Sequence, residues 1–171
     1  PAVIGLAGGR CVCVCKRGGG FPVAMRLARP CFPFFALNSR VGRAPAVPMA
    51  TEDLERAVRF VSERGASFGG NGEYVLCGFS AGGNLITQWG TDNLGYAAHR
   101  MQPPKALLAI YPAISNTALF SDLRHRSFLK TMFGENFGEK TKEKYDVPSH
   151  CGSFPPTYMA VGSHDLLISK K

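Results

Sequence analysis

A single serine lies between two glycines in the segment G-F-S-A-G at residues 78–82. An apolar run at residues 74–79 leads to this segment, and a helix-forming run follows at residues 80–90. A strand-to-helix turn of this kind lifts the serine hydroxyl above the sheet edge, and small neighbours avoid steric clashes there. We therefore predict that Ser80 is a nucleophile. The N–H group of Ala81, at the positive end of the helix, would stabilise an oxyanion.

The same five residues have a second interpretation, as a glycine-rich turn of a nucleotide-binding protein with an incidental serine. The phosphate-binding patterns do not fit, because no lysine follows the glycines as in a P-loop. The glycine spacing also differs from G-x-G-x-x-G. These differences favour the nucleophile.

A serine hydroxyl needs a base to remove its proton and an acid to orient that base. In folds with this turn the three groups follow the chain order serine, acid, histidine. Asp165 comes just after an apolar run at residues 157–162, where the acid belongs, so we predict that it is the acid. An exposed turn aspartate is the alternative interpretation.

The histidines do not complete this set. His164 is the sequence neighbour of Asp165 and cannot easily contact that carboxylate while also reaching Ser80, so we interpret it as a loop residue. Three others precede Asp165 and break the chain order, and we interpret them as surface or lid residues: His99, His125 and His150. We expect the catalytic histidine to be absent from these 171 residues and this chain alone to be inactive for that reason.

A second oxyanion donor is expected from a glycine-rich loop after an earlier strand. Gly8 and Gly9 follow the apolar run at residues 2–7 and are our candidates. Glycine permits the backbone conformations that turn N–H groups toward a site. An ordinary strand-to-helix turn is the alternative.

The elements that must position these residues follow from apolar runs and turn signals. Short apolar runs predict five strands, at residues 2–7, 32–38, 74–79, 106–111 and 157–162. Helices are predicted at residues 21–28, 51–65 and 80–90, the second capped by Thr51. Continuous apolar strands separated by helices indicate an α/β fold with a parallel, doubly wound sheet. We expect one domain over residues 1–171, cut at both ends, with a cap- or lid-like insertion at about 115–154.

Composition limits the possible partners. The net charge of +8 comes from scattered basic residues without an aromatic-interleaved stripe, so we expect no nucleic-acid role. No apolar run approaches the ~20 residues of a membrane span, and unpaired thiols favour a cytoplasmic protein, although secretion remains open. Cys11, Cys13 and Cys15 alternate along the chain and could suggest a metal cluster. We favour small buried thiols and expect no metal, because no Cys-x-x-Cys pair or histidine cluster completes a site.

Several segments, in the same order along the chain, resemble α/β-hydrolase esterases and lipases related to acetyl esterases and xylan esterases, near the hormone-sensitive-lipase branch. They are residues 20–24, 37–41, 78–85, 108–112, 155–158 and the Asp165 turn. The resemblance implies a carboxylic ester hydrolase that needs no cofactor and acts on small-molecule esters with short acyl groups, including acetylated carbohydrates. A non-catalytic protein that binds a ligand or partner in the same cleft, or a serine peptidase, remains open. Acyl length, alcohol group and oligomeric state depend on pocket and cap shape rather than on these motifs.

Overall fold

The computed structural model describes residues 1–9, 32–42, 44–114 and 126–164. In that part of the chain the strands are β1 (Ala2–Leu6), β2 (Phe34–Leu37), β3 (Tyr74–Phe79), β4 (Leu107–Ile110) and β5 (Thr157–Ala160). The helices are α1 (Ala46–Arg64), α2 (Ala81–Trp89), α3 (Arg126–Phe133) and α4 (Glu139–Lys144), with 3₁₀ turns at Gly65–Phe68 and Val147–His150. All five predicted strands are confirmed. The helix predicted at residues 21–28 and the cysteines at positions 11, 13 and 15 lie outside the described residues.

The strands form one parallel sheet in the order β2-β1-β3-β4-β5. The chain passes from β1 to β2 on one side and then to β3 on the other side of β1, so the winding direction reverses at β1. The predicted α/β doubly wound sheet is therefore confirmed. Ligands of such sheets bind at the carboxyl ends of the strands where the winding reverses, which here is the end of β1 and β3.

The core lies mainly between the sheet and two helices. The sheet residues Ile4 and Leu76 are fully buried against Leu54 of α1 and Ile86 of α2. A second cluster, centred on buried Cys77, lies on the opposite face of the sheet. Burial raises the pKa of the Cys77 thiol to about 11, so this cysteine is protonated at neutral pH.

Helix α1 begins five residues before the predicted start, and the predicted cap at Thr51 is wrong. The Thr51 hydroxyl lies inside the helix and donates a hydrogen bond to the Val47 carbonyl oxygen at 3.0 Å. Pro48 falls in the first turn, where backbone N–H groups have no partner within the helix, so its missing N–H group removes no helical bond. The proline therefore allows the earlier start.

An ion pair connects the chain after β2 to α1. The backbone N–H and the Nε atom of Arg40 donate hydrogen bonds to Asp53, at 2.7 Å and 3.0 Å. Partial burial acts to raise the pKa of Asp53, but the hydrogen bonds from Arg40 outweigh it and leave the pKa below its ordinary value. The pair thus favours the charged carboxylate in the folded state.

We expect Asp53→Asn to lower the free energy of unfolding near neutral pH by about 1 kcal/mol, the upper end for partly exposed ion pairs. Because the folded-state pKa is lowered, this contribution is present above the unfolded-state pKa and disappears as the pH falls through the folded-state value. Urea unfolding between pH 7 and pH 2.5 measures the difference. Glu63→Gln, an exposed carboxylate change on the same helix, is the control. A difference that persists at the lowest pH would contradict this account.

Residues beyond β4 form two short helices against the start of α1. Met132 of α3 and Tyr145, which follows α4, pack with Val47 in the first turn of α1. Within the described ranges, none of the helices combines the length and apolar character needed to cross a membrane.

Candidate active site

Ser80 occupies a sharp turn between β3 and α2, as the motif predicts. Its backbone angles are φ 51° and ψ −116°, a combination in which a side chain is strained and glycine is not. The Ser80 N–H donates to the carbonyl oxygen of Ile110 at 3.0 Å, and the Ser80 carbonyl accepts from the Asn84 N–H at 2.9 Å. Both ends of the strained residue are therefore held by the surrounding backbone.

The two glycines of the motif are required by close backbone contacts. A Cβ atom on Gly78 would lie 2.3 Å from the carbonyl oxygen of Gly82, and one on Gly82 would lie 2.5 Å from that of Leu6. Such distances are shorter than real Cβ contacts. The predicted need for small residues on both sides of Ser80 is confirmed.

The loop after β1 lies directly against Ser80. A Cβ atom on Gly8 would be 3.0 Å from the Ser80 Cβ and 3.1 Å from the Phe79 carbonyl oxygen. Gly9 has a φ of 143°, which strongly favours glycine. Parallel pairing of Leu6 with Gly78 places the carboxyl ends of β1 and β3 side by side, which explains this proximity.

A cavity of about 30 Å³ opens beside this turn. Its lining includes the three residues predicted to form the oxyanion hole: Gly8, Gly9 and Ala81. The remaining lining residues are Leu6, Ala7, Leu37, Ser39, Arg40, Val41, Val47, Ala50, Gly82, Asn84 and Leu85. The three candidate donors, which are distant in sequence, therefore line the same cavity.

Ala81 is the first residue of α2, so its N–H group has no acceptor within the helix. The positive end of the helix dipole points to the same place and favours negative charge there. The cavity wall can thus offer backbone donors to an oxyanion without a metal ion or a charged side chain.

The structure describes only some of the residues predicted as the acid and the histidines. Asp165 and His125 lie outside the described residues. His99 stacks on Trp89, at the far end of α2 from Ser80 and about 13.5 Å along the helix axis. The His99 Nδ1 atom lies 2.8 Å from the Glu55 carboxylate.

The other two histidines also have local partners. His150 lies 3.0 Å through Nε2 from the Glu143 carbonyl oxygen. His164 is exposed in the turn after β5 and lies 2.9 Å through Nδ1 from the Ser163 hydroxyl. This placement confirms the interpretation of His164 as a loop residue.

The sequence interpretation missed the polar contacts behind the turn. Asn84 lines the cavity, is buried, and donates through Nδ2 to the carbonyl oxygen of Ala113. Polar residues within the apolar α2 segment were the available signal, because a buried polar side chain needs a partner. The identity of that partner comes only from the folded chain.

Comparison with known families places this geometry in context. A family model described as alpha/beta hydrolase fold matches residues 42–171, and the chain belongs to this family. The resemblance to α/β hydrolases inferred from the motifs is therefore confirmed. A search of curated proteins gives no match.

Solved structures of the same fold cover nearly all of the chain. An acetyl ester-xyloside bifunctional hydrolase from Caldicellulosiruptor lactoaceticus is 24% identical with a TM-score of 0.75, over 93% of this chain and 60% of that one. A lipase/esterase from Lactobacillus plantarum is 18% identical with a TM-score of 0.81, over 99% and 70%. Thermogutta terrifontis esterase 2 phosphoramylated by tabun is 18% identical with a TM-score of 0.74, over 98% and 61%. The chain thus spans about 60% of the length of the first of these structures. At these identities the likeness shows the fold.

Proposed function

We propose that the protein is a carboxylic ester hydrolase in which Ser80 is the nucleophile. One observation carries the proposal: the strained turn at Ser80 lies against Gly8, and the residues Gly8, Gly9 and Ala81 line the cavity beside it. A strained serine turn at the start of a helix, beside a glycine loop, is the arrangement that acyl transfer uses. The names of the solved relatives, all hydrolases or esterases, support the same reaction class.

In the proposed reaction the Ser80 Oγ atom attacks the ester carbonyl carbon while a histidine accepts the hydroxyl proton. The carbonyl oxygen becomes an oxyanion, which accepts hydrogen bonds from the N–H groups of Ala81 and of Gly8 or Gly9. Collapse of this intermediate breaks the bond to the alcohol, which leaves with the proton from the histidine. Water then attacks the carbonyl carbon of the acyl-enzyme while the histidine accepts a proton from the water. The bond to Ser80 Oγ breaks, the histidine returns the proton to Oγ, and the acid is released.

The base and its orienting acid complete the proposal. Asp165 follows β5, whose neighbour β4 holds the Ser80 backbone through Ile110. We assign Asp165 the orienting role and expect the histidine from a segment beyond residue 171. The chemistry needs no metal or cofactor, because the proton acceptor and the oxyanion donors are protein groups.

The cavity favours short acyl groups. Its lining includes the apolar residues Leu37, Val47 and Leu85, which suit a short hydrocarbon chain. We therefore propose acetyl and similarly short esters as substrates. The acetyl ester-xyloside hydrolase among the fold relatives supports acetylated carbohydrates as the natural class.

We also propose that residues 115–154 form a cap beside this cavity. The supporting contact is Val47, which lines the cavity and packs against Met132 of α3 and against Tyr145. A change in the packing of α3 would therefore alter a cavity wall, which is how a cap can influence acyl selectivity.

Hydrolysis of a p-nitrophenyl ester series from acetate to octanoate tests the proposal. We expect the highest kcat/KM for acetate to butyrate, and a decrease for longer chains. In Ser80→Ala, kcat should fall by on the order of 10⁶-fold, the loss that follows removal of a nucleophilic serine. The assay uses protein that extends far enough to include the histidine.

Ser62→Ala, an exposed serine change on α1, is the matched control and should retain full activity. Turnover that survives Ser80→Ala would exclude Ser80 as the nucleophile. No turnover in any variant would favour a binding protein that uses the same cleft. Cleavage of a p-nitroanilide at a rate similar to the esters would favour a peptidase.

A further inference from the structure

Helix α2 carries a row of buried polar side chains behind the candidate nucleophile. Asn84, Thr87 and Gln88 are all at least 96% removed from solvent. The Thr87 hydroxyl donates only to carbonyl oxygens of α2 itself, those of Gly83 and Asn84. The two amides instead connect the helix to another part of the fold.

These amides form a directed chain of hydrogen bonds. Asn84 Nδ2 donates to the main-chain carbonyl of Ala113, and this fixed acceptor sets the orientation of the Asn84 amide. Gln88 Nε2 then donates to Asn84 Oδ1 at 2.9 Å. The relay therefore runs from Gln88 through Asn84 to the segment after β4.

The last residue of β4, Ile110, and the segment that follows it both contact the turn at Ser80. Ile110 accepts the hydrogen bond from the Ser80 N–H. A Cβ atom on Gly83 would lie 3.1 Å from the Pro112 Cβ, so the chain after β4 rests on the first turn of α2. Asn84 adds a side-chain bond to this contact, and its own N–H binds the Ser80 carbonyl.

Gln88 also carries a buried hydrogen-bond acceptor that is not satisfied. Its Oε1 atom is buried without a hydrogen-bond partner, the one such side-chain atom recorded for the described residues. A buried acceptor without a partner destabilises the folded state. A similar-sized apolar side chain at this position would remove that cost but would leave Asn84 Oδ1 without its donor, so the two effects on stability should largely cancel.

We propose that Asn84 and Gln88 are positioning residues that hold the segment after β4 against the Ser80 turn and so fix the direction of the Ser80 hydroxyl. Asn84 makes the bond to Ala113, and Gln88 holds the Asn84 amide in the orientation that this bond needs. Neither side chain is required to touch substrate. The inference rests on the proposed function for its catalytic consequence, whereas its structural content is independent of that function.

The main test is Gln88→Met, which keeps the side-chain size and removes both the donor and the unpaired acceptor. We expect kcat for p-nitrophenyl acetate to fall about tenfold with KM nearly unchanged, because a misplacement of about 1 Å can reduce turnover by on the order of 10²-fold. The melting temperature should change little, because loss of the unpaired acceptor offsets loss of the bond to Asn84 Oδ1. Asn84→Asp, which cannot donate to Ala113, should lower kcat further.

Thr87→Val is the matched control, because it alters a buried polar group of α2 whose bonds stay within the helix. It should lower stability without a selective effect on kcat. If Gln88→Met leaves kcat unchanged, or lowers kcat only in proportion to lost stability, the positioning role is overturned.

A measurement without substrate separates this inference from the proposed function. Amide hydrogen exchange followed by NMR should show faster exchange at Ser80 in Gln88→Met, by about tenfold, through local opening of its bond to Ile110. Thr87→Val should leave that amide protected. Unchanged exchange at Ser80 in Gln88→Met would refute the relay even if Ser80 proves catalytic. Turnover that does not depend on Ser80 would refute the proposed role of Ser80 as the nucleophile. The hydrogen-exchange measurement at Ser80 would then still test the relay.

Discussion

Replacement of Ser80 by glycine is expected to abolish ester hydrolysis and to raise the free energy of unfolding by about 1 kcal/mol. The backbone at Ser80, with φ 51° and ψ −116°, costs a residue with a Cβ atom on the order of 1–3 kcal/mol. Glycine removes this strain but loses more chain entropy on folding, by roughly 0.5–1 kcal/mol, so a net gain remains. Loss of the hydroxyl removes the proposed nucleophile, so kcat should fall by on the order of 10⁶-fold.

Urea unfolding of the wild type, Ser80→Gly and Ser80→Ala measures the strain. Ser80→Ala retains a Cβ atom, so it should lose activity without the gain in stability. Ser62→Gly, within helix α1, is the control. Glycine at this unstrained helical position should lower the free energy of unfolding by about 1 kcal/mol rather than raise it. If Ser80→Gly is no more stable than Ser80→Ala, the turn stores no strain that depends on the side chain.

Gly78→Ala is expected to lower the free energy of unfolding by about 3 kcal/mol or more, at the upper end for overpacked positions. The new Cβ atom would lie 2.3 Å from the Gly82 carbonyl oxygen and 2.8 Å from the Gly83 nitrogen. These are backbone atoms of the first turn of α2, so no side chain can rotate away to relieve the clash. Separation of β3 from α2 would also displace Ser80.

The midpoint of urea unfolding, together with the yield of soluble protein, measures this effect. Gly162→Ala is the matched control, because a Cβ atom there has no neighbour within 4 Å, and it should be nearly neutral. Retention of wild-type stability in Gly78→Ala would contradict the close approach of β3 and α2.

Local sequence patterns predicted most of the secondary-structure elements. The five strands follow from short apolar runs, and the turn at Ser80 follows from the spacing of its flanking glycines. Helix α1 was found through its buried face, but its start was misplaced. Thr51 and the acidic residues after it resemble a cap, whereas Asp53 binds Arg40 and Pro48 permits an earlier first turn. Local signals therefore identified the helix and failed where a distant partner used the same residues.

The contacts between residues distant in sequence became known from the folded chain. Gly8 touches Ser80 because β1 and β3 pair in parallel with Leu6 opposite Gly78, a register that neither glycine nor serine encodes alone. The bond from Asn84 to Ala113 likewise depends on the placement of β4 beside β3. Periodicity reports the environment of a single element, since it reflects burial on one face. The choice of partner depends on strand order and register, which arise when the whole sheet packs against its helices.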